Sequence, residues 1–109
     1  MLIKDIIALI EEFAPLSLQE NYDNAGLICG NPEAKVKSIL LTIDITEEVI
    51  DEAINEGHNL ILSHHPLIFQ GIKNLLPDTY IKRCLIKAIR HDLNIYSAHT
   101  NLDAVIHGV

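Results

Sequence analysis

Two adjacent histidines, His64 and His65, directly follow a short apolar run and precede Pro66. The run at residues 60–62 (LIL) has the uncharged, bulky character of a strand that is covered on both faces. Proline has no backbone N–H, so the chain must turn there. Imidazole is a common ligand of Zn, Fe and Ni ions. The motif favours a buried strand that delivers metal ligands over the alternative, a surface turn with two solvated histidines.

Consecutive strand residues point to opposite faces of a sheet. Neighbouring histidines therefore reach one place only if the backbone leaves strand geometry between them, and otherwise each takes a different ion. The second arrangement suits a dinuclear site, in which ions about 3.5–4 Å apart act on one substrate oxygen or generate a bridging hydroxide. Both arrangements are compatible with the sequence.

Two further predicted strands end in residues that can serve such a site. Asp44 ends the run 39–44, which indicates a central strand, and His99 follows the strand 93–98. Ligands of open α/β sheets bind beyond the carboxyl ends of the strands. We therefore expect Asp44, His64 and His99 to share one edge of the sheet.

The chemistry of these groups suggests a role for each. Asp103 is a candidate carboxylate ligand, because a carboxylate can bridge two hard cations beside imidazoles. For His99 we favour a supporting role, donating to a ligating carboxylate or to substrate. Asp44 is either a similar supporting residue or a helix cap, and the sequence favours neither role over the other. The remaining histidines, His58, His91 and His107, are predicted to lie on the surface, and no residue is singled out as catalytic.

Hydrophobic spacing predicts three amphipathic helices between the strands. The first is carried by apolar residues between Ile3 and Phe13. The second begins after Thr46 as N-cap and ends at Gly57 in the left-handed conformation. The third is capped by Asp78, with a buried face formed by Ile81, Cys84, Leu85, Ala88 and Ile89.

The segment 69–77 is predicted to form a loop that lies over the site and could act as a lid. Strand, helix and strand from residue 39 to 63 have the length of a crossover unit with a parallel pair, so we predict a single α/β domain over residues 1–109.

Composition and charge exclude several classes of protein. The 109 residues are 49% hydrophobic, which argues against disorder. A net charge of −7 disfavours nonspecific binding to nucleic acid or to an anionic membrane. Cys29 and Cys84 show no paired spacing, which fits core thiols in a reducing cytoplasm. Charged residues among the first isoleucines exclude a signal peptide and a membrane span.

Three segments together resemble the Nif-three-like family of dinuclear-metal-centre proteins, whose bacterial members carry names of the GTP cyclohydrolase type-two-like kind. They are residues 23–27 (DNAGL), 61–69 (ILSHHPLIF) and 97–103 (SAHTNLD). The resemblance implies a three-layer α/β/α fold with a mostly parallel or mixed sheet and toroidal hexamers. It also implies that His64, His65 and Asp103 bind two divalent metal ions (Zn, Fe, Mn or Ni), and that the protein is a metal-dependent hydrolase of a small nucleotide-like substrate, similar to GTP cyclohydrolase type two.

The resemblance covers only the N-terminal half of such proteins. Their site is completed by a His-x-x-x-Glu motif that this sequence does not contain. Two imidazoles and one carboxylate are too few donors for two ions. We therefore expect a fragment or an excised domain that alone binds metal weakly or not at all and lacks hydrolase turnover. The alternative function is a non-catalytic metal-binding protein that assembles or binds a regulator.

Overall fold

The computed structural model describes residues 1–18, 25–67, 72–99, 101–102 and 105. These residues contain three helices, four strands and one short 3-10 turn at Leu16–Leu18. In chain order the elements are α1 (Ile3–Phe13), β1 (Gly26–Cys29), β2 (Ile39–Thr42), α2 (Glu47–Glu56), β3 (Leu60–Ser63), α3 (Tyr80–Arg90) and β4 (Asn94–Ser97). Part of the predicted loop at 69–77 lies outside the described residues.

The four strands form one mixed sheet in the order β1-β4-β3-β2. β3 pairs in parallel with both β2 and β4, whereas β1 pairs antiparallel with β4. The predicted parallel pair of the crossover unit is therefore confirmed. The prediction that residues 39–44 form a central strand is wrong: β2 ends at Thr42 and lies at the edge of the sheet. Leu41 is 75% exposed, because a continuous apolar run does not distinguish a strand covered on both sides from one that is covered on one side.

Helices cover both faces of the sheet, which confirms the three-layer α/β/α architecture. On one face, Ile3 of α1 packs with Leu60 and Tyr96. On the other face, α2 and α3 bury a larger cluster that includes Ile50, Leu85 and Ile95. Ile89 was predicted to share the buried face of α3 but is 55% exposed, because it lies at the margin of the helical stripe that Cys84, Leu85 and Ala88 bury.

Tyr96 connects the α1 layer to the sheet. Its side chain is buried, and its hydroxyl donates to Glu11 Oε2 at 2.9 Å. Burial, reinforced by the hydrogen bond to Glu11, raises the pKa of Tyr96 well above its ordinary value. The hydroxyl therefore stays protonated and keeps donating to the helix at any physiological pH.

The helix ends follow the capping rules with one correction. The Thr46 side chain accepts from the Val49 backbone N–H at 3.2 Å, and Gly57 ends α2 with a φ of 79°. Both predictions are confirmed. The cap of α3 is Thr79, which accepts from the Lys82 N–H at 3.3 Å, whereas Asp78 forms an ion pair with Lys82 at 3.1 Å. Asp and Thr are both good N-caps, so the sequence left the start of this helix uncertain by one residue.

Cys29 and Cys84 are free thiols. Cys84 is fully buried between the helices and the sheet, and Cys29 packs against the same cluster. Desolvation by burial raises the pKa of each thiol to about 11. Protonated thiols are poor nucleophiles and poor metal ligands, so both cysteines act as core residues. In the described part of the chain, no helix is long and apolar enough to cross a membrane.

Candidate metal centre

His64 and His65 lie in a bend immediately after β3. The bend is held by the end of β2: the His64 N–H donates to the Thr42 carbonyl at 3.3 Å and the His65 N–H donates to the Ile43 carbonyl at 2.9 Å. Because the backbone leaves strand geometry here, the two rings do not point to opposite faces. Their centroids are 5.2 Å apart.

His99 brings a third imidazole to the same place from the end of β4. Its ring centroid is 5.1 Å from that of His64 and 5.4 Å from that of His65. One ligand atom from each of the three side chains lies within 4.8 Å of the others. The strand ends that we expected to share one edge therefore do so. We name His64, His65 and His99 the imidazole cluster.

Three buried polar residues fix the backbone that carries the cluster. The Ser63 hydroxyl donates to the His65 carbonyl at 3.0 Å, and the Ser97 hydroxyl donates to the His64 carbonyl at 3.3 Å. The Asn101 Oδ1 atom accepts from the His99 N–H at 2.9 Å, and its amide donates to the Ala14 carbonyl beyond α1 at 2.8 Å. Sequence reasoning missed these supporting roles. The only signal was the presence of polar residues at positions next to apolar strands.

Hydrogen bonds orient two of the imidazoles. His64 Nδ1 donates to the Ala98 carbonyl at 2.8 Å, and His65 Nδ1 is hydrogen-bonded to Asp44 Oδ1. A carbonyl or carboxylate partner places the proton on Nδ1, so Nε2 carries the lone pair that a metal ion requires. Asp44 thus supports His65, and the capping interpretation of Asp44 does not hold because Thr46 caps α2.

The cluster opens into a cavity of about 510 Å³ between the sheet edge and the first turns of α2 and α3. Its wall includes Asp44, His65 and His99 together with Tyr80, whose side chain is about half exposed. Helix N-termini carry partial positive charge, which offsets part of the negative charge that Asp44 brings to this wall. Asp103, the predicted carboxylate ligand, lies outside the described residues. His58 and His91 line a different cavity, at the opposite end of the strands.

Replacing Asp44 with asparagine removes the negative charge that supports His65. Loss of such an outer partner typically costs about 10- to 100-fold in metal affinity, and we expect an effect of that size on Zn²⁺ binding. Calorimetric titration measures it directly. The matched control is Asp51→Asn, because Asp51 is an exposed carboxylate that pairs with Lys87 on α3 at 2.9 Å. Equal affinity of the Asp44→Asn variant and the unchanged protein would contradict the supporting role.

Comparison with known families assigns the whole chain to one protein family. The family model of Duf34/NIF3, NGG1p interacting factor 3, matches residues 1–109. The chain belongs to the Duf34/NIF3 family. This membership agrees with the resemblance of the three sequence motifs, and it places the imidazole cluster within a Duf34/NIF3 fold.

Curated relatives and solved structures support the same assignment. The chain is 46% identical over 107 residues to the GTP cyclohydrolase 1 type 2 homolog of Clostridium acetobutylicum, covering 98% of this chain and 40% of the relative. A crystal structure of a Staphylococcus aureus hypothetical protein superposes with a TM-score of 0.90 at 43% identity, covering 94% of this chain and 29% of that protein. A Bacillus cereus protein related to NIF3 gives a TM-score of 0.88 at 41% identity, with 94% and 28% covered. The chain therefore spans about two fifths or less of the length of these relatives.

Proposed function

We propose that the imidazole cluster binds a divalent metal ion and that the protein serves a metal-dependent hydrolase reaction on a nucleotide-like substrate. The observation that carries the proposal is the convergence of three imidazoles within 4.8 Å at the carboxyl edge of the sheet. Three protein ligands with an open fourth position are typical of catalytic zinc sites. The hydrogen bonds to Nδ1 of His64 and His65 supply the second requirement, a fixed ring orientation.

The described residues fit one such ion by themselves. A second ion, as the family resemblance implies, needs a bridging carboxylate, and Asp103 is the residue that we propose for it. Zn, Fe, Mn and Ni are all compatible with imidazole and carboxylate donors. When bound, such an ion would acidify a water molecule and polarise a substrate oxygen. The protein's own contribution is to hold the three rings and to offer the cavity beside them.

The cavity supports a substrate that is both charged and planar. A bound divalent ion would attract an anionic group, and the half-exposed ring of Tyr80 offers an apolar surface for a ring system. A nucleotide carries both features. Names of curated relatives refer to GTP cyclohydrolase 1 type 2, and we therefore propose hydrolytic opening of a purine ring as the reaction to test first.

The test is a turnover assay with GTP in which formate release is followed after metal removal and after reloading with Zn²⁺, Mn²⁺, Fe²⁺ or Ni²⁺. We expect metal-dependent turnover from a chain that extends through a His-x-x-x-Glu segment, if the source protein has one, and at most weak metal binding without turnover from the 109 residues. His91→Ala is the control for a histidine outside the cluster. Turnover that is unaffected by metal removal would contradict the proposal.

A second function is favoured by an exposed apolar surface. Leu9 and Phe13 on α1 and Leu41 on β2 are all more than half exposed and border one groove that reaches His64. Contiguous exposed apolar surface marks a protein–protein contact. We propose self-association through such contacts, a hexamer by family resemblance, and the non-catalytic alternative is a metal-stabilised assembly protein. Metal binding and oligomerisation without turnover in the extended chain would favour that alternative.

A further inference from the structure

The end of the sheet opposite the imidazole cluster contains a second cavity, of about 690 Å³. It lies where β3 and β4 begin and where α2 and α3 end. Among the described residues its wall includes Lys35, Lys37, His58 and His91, with Asp92 as the acidic member. His58 also contacts Glu56, at 3.1 Å. A volume of this order is typical of pockets that bind small molecules. The cavity thus gathers basic groups on a chain with 15 acidic and 8 basic residues.

Lys35 and Lys37 are exposed residues that line this cavity. Val36, which lies between them, packs against the α1 side of the sheet, and alternation along the chain therefore leaves the two lysines on the cavity side. Two residues along an extended chain are separated by about 6.5–7 Å, a spacing at which two long lysine side chains can reach one ligand.

A chain of asparagine hydrogen bonds fixes that segment. The Asn59 amide donates to the Lys35 carbonyl at 2.7 Å, and its Oδ1 atom accepts from the Lys37 N–H at 2.8 Å. Asn94 is buried; its amide donates to the Asn59 carbonyl at 2.9 Å and its Oδ1 accepts from the Asn31 N–H at 2.7 Å. The backbone beneath the lysines is therefore set before any ligand arrives.

Gly30 allows the backbone to approach Asn94 closely beneath this cavity. A Cβ atom on Gly30 would lie 2.1 Å from Asn94 Oδ1 and 2.9 Å from Asn94 Cα, and the residue has a φ of 128°. Only glycine tolerates both conditions. The close approach of these two residues keeps the asparagine chain intact.

The lysine charges are not neutralised within the part of the protein that the structure describes. The carboxylates that form ion pairs there contact other basic residues, which are Lys4, His58, His65, Lys82, Arg83 and Lys87. Neither Lys35 nor Lys37 forms an ion pair with a described residue. The last carbonyls of the two helices do not take up these charges either, because backbone N–H groups already cap them, as His58 N–H does for Ala53 at 2.9 Å and Leu93 N–H does for Ala88 at 2.8 Å.

We propose that this cavity is an anion-binding site for a small molecule with two or more negative charges, such as a phosphate ester or a dicarboxylate. Lys35 and Lys37 would bind the anionic groups, and the asparagine chain would hold the lysines in place. Lysine binds phosphate and carboxylate as a compact positive charge with several donors. The site is independent of the imidazole cluster, since the strands separate the two.

Backbone NMR titration of the 109-residue chain with pyrophosphate and, separately, with succinate tests the proposal. We expect shift changes at the amides of residues 35–37, 57–59 and 91–94, and the stronger of the two probes identifies the ligand as a phosphate or a carboxylate. The double substitution Lys35→Gln with Lys37→Gln should weaken binding about tenfold or more. The charge-conserving pair Lys35→Arg with Lys37→Arg should retain it.

The matched control is Lys73→Gln with Arg90→Gln, which removes the same charge from two residues that neither line the cavity nor form ion pairs with described residues. An equal loss of affinity in this control would overturn the proposal, because it would reduce the effect to net charge. Shift changes confined to His64 and His65, or none at all, would also overturn it. Binding of an oligonucleotide without binding of either small anion would replace the site by a nucleic-acid surface.

Discussion

Replacing His64 with alanine is expected to lower the affinity of the chain for Zn²⁺ by about 10²- to 10³-fold while the fold is retained. The estimate follows from the apparent binding free energy of zinc in four-ligand sites, about 10–16 kcal/mol, which is shared among the ligands. His64 forms one corner of a nearly equilateral triangle of rings, with centroid distances of 5.2, 5.1 and 5.4 Å, so its loss leaves only two of the three imidazoles for a metal ion. Calorimetric titration gives the affinity, and circular dichroism checks the fold.

His91→Ala is the control for this experiment. His91 is exposed, ends α3, and bonds through Nδ1 to the Lys87 carbonyl at 3.1 Å, far from the cluster in the fold. We expect it to leave metal affinity unchanged. If His99 is a ligand, the His99→Ala variant should lose as much Zn²⁺ affinity as the His64→Ala variant. If His99 only supports a ligand, the loss should match the smaller one of the Asp44→Asn variant. Unchanged metal binding by a folded His64→Ala variant would show that the cluster is structural.

Leu85→Ala is expected to lower the free energy of unfolding by about 2–5 kcal/mol, because it opens a cavity in the core beneath α3. Leu85 is 4% exposed and packs within the hydrophobic core between α2, α3 and the sheet. Urea denaturation measures the change. Ile89→Ala is the matched control, one turn later on the same helix but 55% exposed, and we expect it to cost far less. A loss below about 0.5 kcal/mol for Leu85→Ala would contradict the packing of this helix.

Much of the fold could be predicted from hydrophobic period and turn chemistry. The helix at residues 3–13 and the strand at 60–63 were found from hydrophobic spacing, and the helix at 47–56 was found because spacing and caps agree there. Errors arose where two local choices were equivalent, as at Asp78 and Thr79, or where hydrophobicity did not report burial, as at Leu41 and Ile89. The antiparallel addition of β1 beside β4 depends on contacts between distant parts of the chain, and no local pattern encodes its direction.

The candidate site was predicted in outline because strand ends are recognisable in sequence. The position of Asp44 beside His65 followed from that rule, although the choice between its two roles needed the hydrogen bond itself. His99 could not be placed relative to the other rings, because ring position depends on how Asn101 and Ser97 hold the backbone. The cavity lined by Lys35 and Lys37 was not predicted from the sequence. Its only trace in sequence is the alternation of residues 34–37 (AKVK), which is too short to indicate a strand.

The pairing of the first strand with the last one sets the order in which the chain can fold. β2, α2, β3, α3 and β4 follow each other closely, so their contacts can form as each is synthesised. β1 must wait for β4, and α1 must wait for Tyr96 and Asn101, whose partners are Glu11 and Ala14 some 85 residues earlier. Until β4 has left the ribosome, β1 therefore has no strand to pair with and α1 can pack only on β2 and β3, so part of their apolar surface remains available to chaperones.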